Sequence, residues 1–176
     1  MIAKGKLSQA VGKRFENNCN TMHEEYMLRK LGFFWKNEIG SRVIWTSQGM
    51  KSQPLPSRPD FSGILSSGRF VTFDAKSTAN KNKWSLSKKS LHQFVHMQRL
   101  SEYGALTFFL LESRVLRVCY IIRVTSQDNT RPAVIFATAM KDPNVVPFII
   151  PEDGRIDWLH VLAEAKKVPD HSSLGW

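Results

Sequence analysis

The chain has 176 residues and carries 25 Lys+Arg against 15 Asp+Glu, a formal net charge of +10. That length suits one domain, a composition 42% hydrophobic and 23% charged excludes wholesale disorder, and two cysteines, Cys19 and Cys119, exclude a disulfide scaffold or a CxxC-type zinc site. No apolar run approaches the roughly 18 residues of a spanning helix, and the first turns lack the apolar stretch of a secretion signal. The expectation is therefore a soluble, cytoplasmic protein with no membrane partner and a polyanionic ligand, nucleic acid first among the candidates.

In chain order, Leu7, Val11, Phe15, Met22 and Tyr26 recur at helical spacing. They predict an amphipathic helix from Ser8, its N-cap, to Leu31, stopped by Gly32. Phe33–Trp35 and Arg42–Thr46 read as short strands around a turn at Gly40, and residues 47–59, with three prolines, as an exposed loop or arm. Residues 60–65 and 69–76 read as a hairpin turning at Gly68. A polar, basic loop over 77–87 leads to a second helix over 88–103, with Leu91, Phe94, Val95 and Leu100 on its apolar side. Strands follow at 105–111, 115–124 and 133–138, then a helix over 157–167 capped by Asp157, and a loose tail at 169–176. Helices interleaved with strands imply an α/β or α+β domain with a mixed sheet.

The positive charge is regional. Residues 1–100 hold 17 basic and 6 acidic side chains, whereas 101–176 hold 8 and 9. Between Glu38 and Glu102 there are ten bases and only two acids, Asp60 and Asp74. Carboxylates repel phosphate, so two that persist in a phosphate-binding surface are either ordinary caps and surface ion pairs or ligands for a divalent cation that reverses the local charge. Charge alone favours neither.

Strand alternation sharpens the second reading. Val71, Phe73 and Ala75 point one way, and Thr72, Asp74 and Lys76 the other. Antiparallel pairing in the hairpin can bring Asp60 beside Asp74. Two carboxylates and a lysine in a basic region suit metal-dependent phosphodiester cleavage, in which hard oxygen ligands hold the ion and a cation steadies the charge that develops at phosphorus. The spacing, Pro59-Asp60 followed by Asp74-Ala75-Lys76, is that of a PD-(D/E)xK nuclease. Glu16 on the first helix and Gln93 on the second, taken alone, read as a solvated helix face and a satisfied polar group. The five histidines have no zinc-ligand spacing.

Five motifs in order resemble the RecU family of Holliday junction resolvases, within the PD-(D/E)xK superfamily. Gly12-Lys13-Arg14-Phe15-Glu16 resembles the start of the family's first helix, and Arg58-Pro59-Asp60-Phe61-Ser62-Gly63 its (T/P)D-(Y/F)-x-G strand. Phe73-Asp74-Ala75-Lys76-Ser77-Thr78 resembles FEAKET, His92-Gln93-Phe94-Val95-His96-Met97 resembles HQxxHM, and Arg155-Ile156-Asp157-Trp158-Leu159 the closing R-I-D-Y-(L/I). The resemblance implies a restriction-endonuclease-like fold, α+β with a mixed central sheet flanked by helices. It implies a homodimer that nicks symmetric strands of a four-way junction, leaving 5′-phosphate ends, in a bacterial or phage-infected cell. Asp60, Asp74 and Glu16 become Mg²⁺ ligands, with Mn²⁺ expected to substitute, Lys76 the catalytic lysine and Gln93 a supporting residue; no small-molecule cofactor is implied. Asp74 replaces the family's usual Glu, one methylene longer.

The resemblance implies one nuclease domain over 1–168. The family's stalk, which enters the junction centre, corresponds here to a short arm at 42–58. Lys13, Arg14, Arg42, Lys51, Arg58, Lys81, Lys83, Lys88 and Lys89 are the expected DNA contacts, with Trp45 available for stacking. The alternatives are a nuclease of this fold acting on duplex or other branched DNA, and a non-catalytic DNA-binding protein. An RNA-binding module would be expected to carry an RRM or KH motif, which the sequence lacks.

Overall fold

The computed structural model describes residues 4–38, 40–55 and 57–165. Its centre is a six-stranded mixed sheet in the order β1-β4-β5-β7-β8-β10. These strands are β1 (Gly32–Lys36), β4 (Phe61–Leu65), β5 (Phe70–Thr78), β7 (Leu106–Ser113), β8 (Val118–Arg123) and β10 (Val145–Ile149). Only the central β5–β7 pair is parallel; the other pairs are antiparallel. A parallel pair needs a crossover, and α2 (Leu91–Glu102) supplies it. The expected mixed sheet flanked by helices is thus the observed architecture.

Each face of the sheet carries its own core. On one, α1 (Lys4–Leu28) and α3 (Trp158–Ala165) cover Phe61, Val71, Phe73, Phe108 and Ile121. Phe73 stacks between Phe61 and Phe108 at ring-centroid distances of 5.0 and 4.8 Å. Each such fully buried side chain contributes about 2–3 kcal/mol. On the other face, Phe94 and Met97 of α2 pack on Phe109, Leu111 and Ile122. Leu91 and Val95, expected on the apolar side of this helix, are partly exposed, and Gln93 joins Phe94 and Met97 inside instead. Gly63 is required in β4, because a Cβ there would lie 2.2 Å from Phe34 Cδ1 and 2.7 Å from the Phe33 carbonyl oxygen.

Several boundaries differ from the sequence reading. The first helix ends at Leu28 and Gly32 opens β1. The left-handed residue after the helix is Lys30, at φ 58°. Leu31 N–H bonds to the Tyr26 carbonyl and Lys30 N–H to that of Met27, the paired bonds of a Schellman cap. The stretch 47–59 is not all loop. β3 (Gly49–Pro54) pairs with β2 (Ser41–Thr46) in a hairpin separate from the central sheet, closed at its base by Leu55 N–H to the Gly40 carbonyl. Its strands alternate less clearly than core strands because both faces are largely exposed, Trp45 at 80% and Val43 at 65%. β6 (Lys83–Ser85) in the basic loop pairs with β9 (Ala133–Ile135). Asp157 caps α3 as expected, accepting from His160 N–H at 3.1 Å and also from the Tyr26 hydroxyl at 2.8 Å. The tail at 169–176 lies outside the described residues. Among the described residues no helix is long and apolar enough to cross a membrane.

Candidate active site

The register of the β4–β5 hairpin pairs Phe61 with Phe73. Asp60, one residue before β4, therefore falls next to Asp74 and Ala75. Its carboxylate accepts the Ala75 N–H at 2.9 Å. Asn37, just after β1, holds this corner: its side-chain amide donates to the Pro59 carbonyl at 2.7 Å and to Ser62 Oγ at 2.8 Å, and its N–H donates to the Asp60 carbonyl at 2.8 Å. Nothing local marks Asn37 in the sequence, since its partners lie more than 20 residues on.

Asp74 and Lys76 project from β5 on the α2 side of the sheet, as alternation requires. Asp74 is fully buried, and its Oδ2 is paired with the Lys76 ammonium. Lys76 also donates to Gln93 Oε1 at 3.3 Å. Gln93 is buried, and its NH₂ reaches Ser57 Oγ at 3.4 Å and the Arg58 carbonyl at 3.3 Å. This amide therefore links the lysine to the segment that delivers Asp60. Ser57, with His92 Nε2 at 3.1 Å, is a second member of the site that the sequence did not single out.

Burial, then the Asp60 charge, pushes the Asp74 carboxyl up to about 7 against the opposing pull of Lys76. Asp60 is raised too, by burial first, with Glu16 adding to it and Lys76 and the Ala75 N–H opposing. Two carboxyls in mutual contact cannot both be comfortably ionised.

Glu16 sits on α1 at the same end of the sheet, close enough to Asp60 to act on its charge, but its carboxylate is paired with Lys36 of β1. Among the described residues, no three His, Cys, Asp or Glu side chains close into a metal-binding cluster. The structure thus brings Asp60, Asp74, Lys76 and Gln93 together and leaves Glu16 beside them on another partner. Neither buried oxygen of Asp74 has a hydrogen bond of ordinary geometry. Once ionised, two adjacent carboxylates whose one close cation is the Lys76 ammonium are hard oxygen donors of the kind a divalent cation takes.

Around the site the bases lie on the surface. Lys13, Arg14, Arg42, Lys51, Arg58, Lys81, Lys83, Lys88 and Lys89 are all exposed. The four lysines from 81 to 89 occupy the connection from the end of β5 to the start of α2, the two elements that carry Lys76 and Gln93. Arg14 is also paired with the buried Glu112 at 3.4 Å, which accepts the Ser77 hydroxyl at 2.6 Å. Arg42 and Lys51 are on the β2–β3 hairpin, bonded to Gln53 and Gln48 at 3.0 and 2.6 Å.

A Holliday junction resolvase RecU from Lactococcus lactis is 28% identical over 130 residues, covering 69% of this chain and 59% of its own. The Holliday junction resolvase RecU of Geobacillus thermodenitrificans is 24% identical over 119 residues, covering 63% and 59%. The chain thus spans about 59% of the length of these relatives. Among solved structures, Hjc of Archaeoglobus fulgidus, a Holliday junction resolvase from an archaeal hyperthermophile, aligns with 72% of this chain and 89% of its own at 16% identity and a TM-score of 0.45. The RecU family description, recombination protein U, matches residues 10–134, more than half of the chain, and the chain belongs to that family.

Proposed function

We propose that this protein is a divalent-metal-dependent DNA endonuclease that resolves four-way junctions as a homodimer. The observation that carries the reading is the pair of half-buried Asp60 and fully buried Asp74, set against Lys76 and ringed by exposed bases. A purely DNA-binding protein gains nothing from two acids there. Asp60 and Asp74 are the residues that hold Mg²⁺ or Mn²⁺, and Glu16 adds to the negative field from α1. The ion, when bound, polarises a phosphate oxygen and makes a bound water more acidic. Lys76, oriented by Gln93, presents its ammonium where negative charge grows on the phosphate, and no covalent intermediate with the chain is needed. Lys81, Lys83, Lys88 and Lys89 hold the flanking backbone by neutralising phosphates. The reading assigns 5′-phosphate products, no small-molecule cofactor, and the junction activity by which the curated relatives are named. It assigns the exposed β2–β3 hairpin, with Arg42, Trp45 and Lys51, to the branched part of the substrate.

The test is cleavage of a synthetic four-way junction against matched duplex and Y-shaped DNA, in Mg²⁺ and in EDTA. Paired, symmetric nicks confined to the junction and to Mg²⁺ are expected. Equal cutting of duplex would sink the junction assignment, and tight binding without cleavage in any divalent metal would sink the nuclease itself.

A further inference from the structure

Asn37 lies between the end of β1 and the β2–β3 hairpin, and Ser57, Arg58, Pro59 and Asp60 lie between that hairpin and β4. These two stretches are the legs on which the hairpin stands, and the second leg ends on the carboxylate pair. At the foot of the hairpin the legs are joined by Leu55 N–H, which donates to the Gly40 carbonyl at 2.8 Å. Nearer the sheet they are joined by Asn37. Between the two joins the legs enclose a cleft of about 300 Å³, lined by Asn37, Glu38, Gly40, Leu55 and Arg58.

Asn37 uses every donor it has. Its backbone N–H goes to the Asp60 carbonyl at 2.8 Å, and its side-chain amide goes to the Pro59 carbonyl at 2.7 Å and to Ser62 Oγ at 2.8 Å. Ser62 is fixed in turn: its Oγ lies 3.3 Å from Thr72 Oγ1, which donates to the Phe61 carbonyl at 2.8 Å. Asn37 thus ties the second leg both to β1 and to a buried polar row across β4 and β5. Pro59 is buried and has no N–H of its own to anchor the leg, so its carbonyl is the handle. The bonds from α2 to the same leg are longer, Gln93 reaching the Arg58 carbonyl at 3.3 Å and Ser57 Oγ at 3.4 Å. The Asp60 carboxylate stands one residue beyond the handle, accepting Ala75 N–H at 2.9 Å. Small hard cations demand near-ideal placement of their oxygen ligands, so a shift of about 0.5 Å in this carboxylate matters.

We propose that Asn37 is a positioning residue for the divalent-cation site: by bridging the two legs of the hairpin it sets where the Asp60 carboxylate lies, and so sets the affinity for the ion. The inference rests on the metal-dependent reading above for its ligand. It makes the base of the hairpin, which that reading assigns to branched DNA, part of one hydrogen-bonded unit with Asp60.

The experiment measures binding of Mn²⁺ to the full chain without DNA, from the loss of the free-ion electron paramagnetic resonance signal. Asp60→Asn should abolish the site. Asn37→Ala should weaken Mn²⁺ about tenfold, the range in which partners behind a ligand act. It should raise the Mg²⁺ needed for half-maximal junction cleavage by a similar factor, and excess Mg²⁺ should restore most of the cleavage. Tyr26→Phe is the control for a lost interior hydrogen bond. The Tyr26 hydroxyl donates to Asp157 at 2.8 Å and accepts Leu159 N–H at 3.1 Å, about 15 Å along α1 from Glu16. This variant should keep the parent affinity for Mn²⁺. Should Asn37→Ala not fold, Ser62→Ala removes one of the amide's two acceptors and should weaken Mn²⁺ roughly threefold. Parent affinity in the variant that folds overturns the inference. So does equal weakening in Tyr26→Phe, since ion binding would then follow general stability. A parent that cleaves junctions while Asn37→Ala binds the ion normally overturns this inference alone. A parent that binds Mn²⁺ in an Asn37-dependent way but cleaves no DNA would sink the nuclease reading and leave this one standing. A parent that binds no Mn²⁺ overturns both.

Discussion

At Asp74, burial and the Asp60 charge both disfavour ionisation, and the group reaches about 7 from an ordinary value of 3.8. A raised carboxyl binds its proton more tightly folded than unfolded. Its contribution to stability is therefore full below the ordinary value and is lost as pH rises through about 7. His23 works the other way: enclosed by Phe34, Phe61, Phe73 and Trp158, it is lowered by burial to about 4, so stability from this group grows as pH rises from about 4 to 6.5. Comparing Asp74→Asn with the parent in EDTA cancels the His23 contribution. The variant should gain on the parent between pH 5 and pH 8, by on the order of 2 kcal/mol or about 5 °C in Tm at the upper end. The same variant should lose cleavage by on the order of 10³-fold, since the ion is worth several kcal/mol to the reaction, while still binding the junction. Normal cutting by Asp74→Asn would remove Asp74 from the site. A pH-independent Tm difference would remove the charge conflict.

The end of α1 is where element-level reasoning and structure part. Gly32 looked like the terminator because glycine readily takes the left-handed conformation that closes a helix. That conformation falls instead on Lys30, at φ 58°, and Gly32 begins a strand paired with Leu65. Non-glycine residues there cost about 1–2 kcal/mol. Lys30→Gly should therefore raise stability by about 1 kcal/mol, less a little for the added freedom of the unfolded chain. Urea unfolding at constant m-value checks this, and a loss of stability would mean the Lys30 side chain contributes more than its backbone costs. The β2–β3 hairpin was hidden for a related reason. Its residues bury little on either face, so they lack the alternation that marks a core strand.

Across the whole molecule, +10 of net charge asks for a polyanion, and the exposed bases around the carboxylate pair suggest how many phosphates it meets. If five to eight of them neutralise phosphate, log K for junction DNA should fall with log salt at a slope of about −4 to −7, near −0.9 per contact. Anisotropy titrations between about 50 and 300 mM salt, well within the range where such screening acts, measure it. A slope shallower than about −2 would show that the basic surface is not the DNA surface.

Much of this was legible in the chain itself. The acid-poor interval isolated Asp60 and Asp74, alternation put Asp74 and Lys76 on one face of β5, and helical or strand periodicity located α2 and the central strands. These are local signals, carried by residue type and by spacings of two to four. What tertiary structure alone decided was long-range company. It set Gln93 between Lys76 and Arg58, gave Glu16 to Lys36, and assigned Asn37 to the Asp60 corner. Those pairings depend on which strands lie side by side and on what burial does to a charge, and neither is written in any short stretch of sequence.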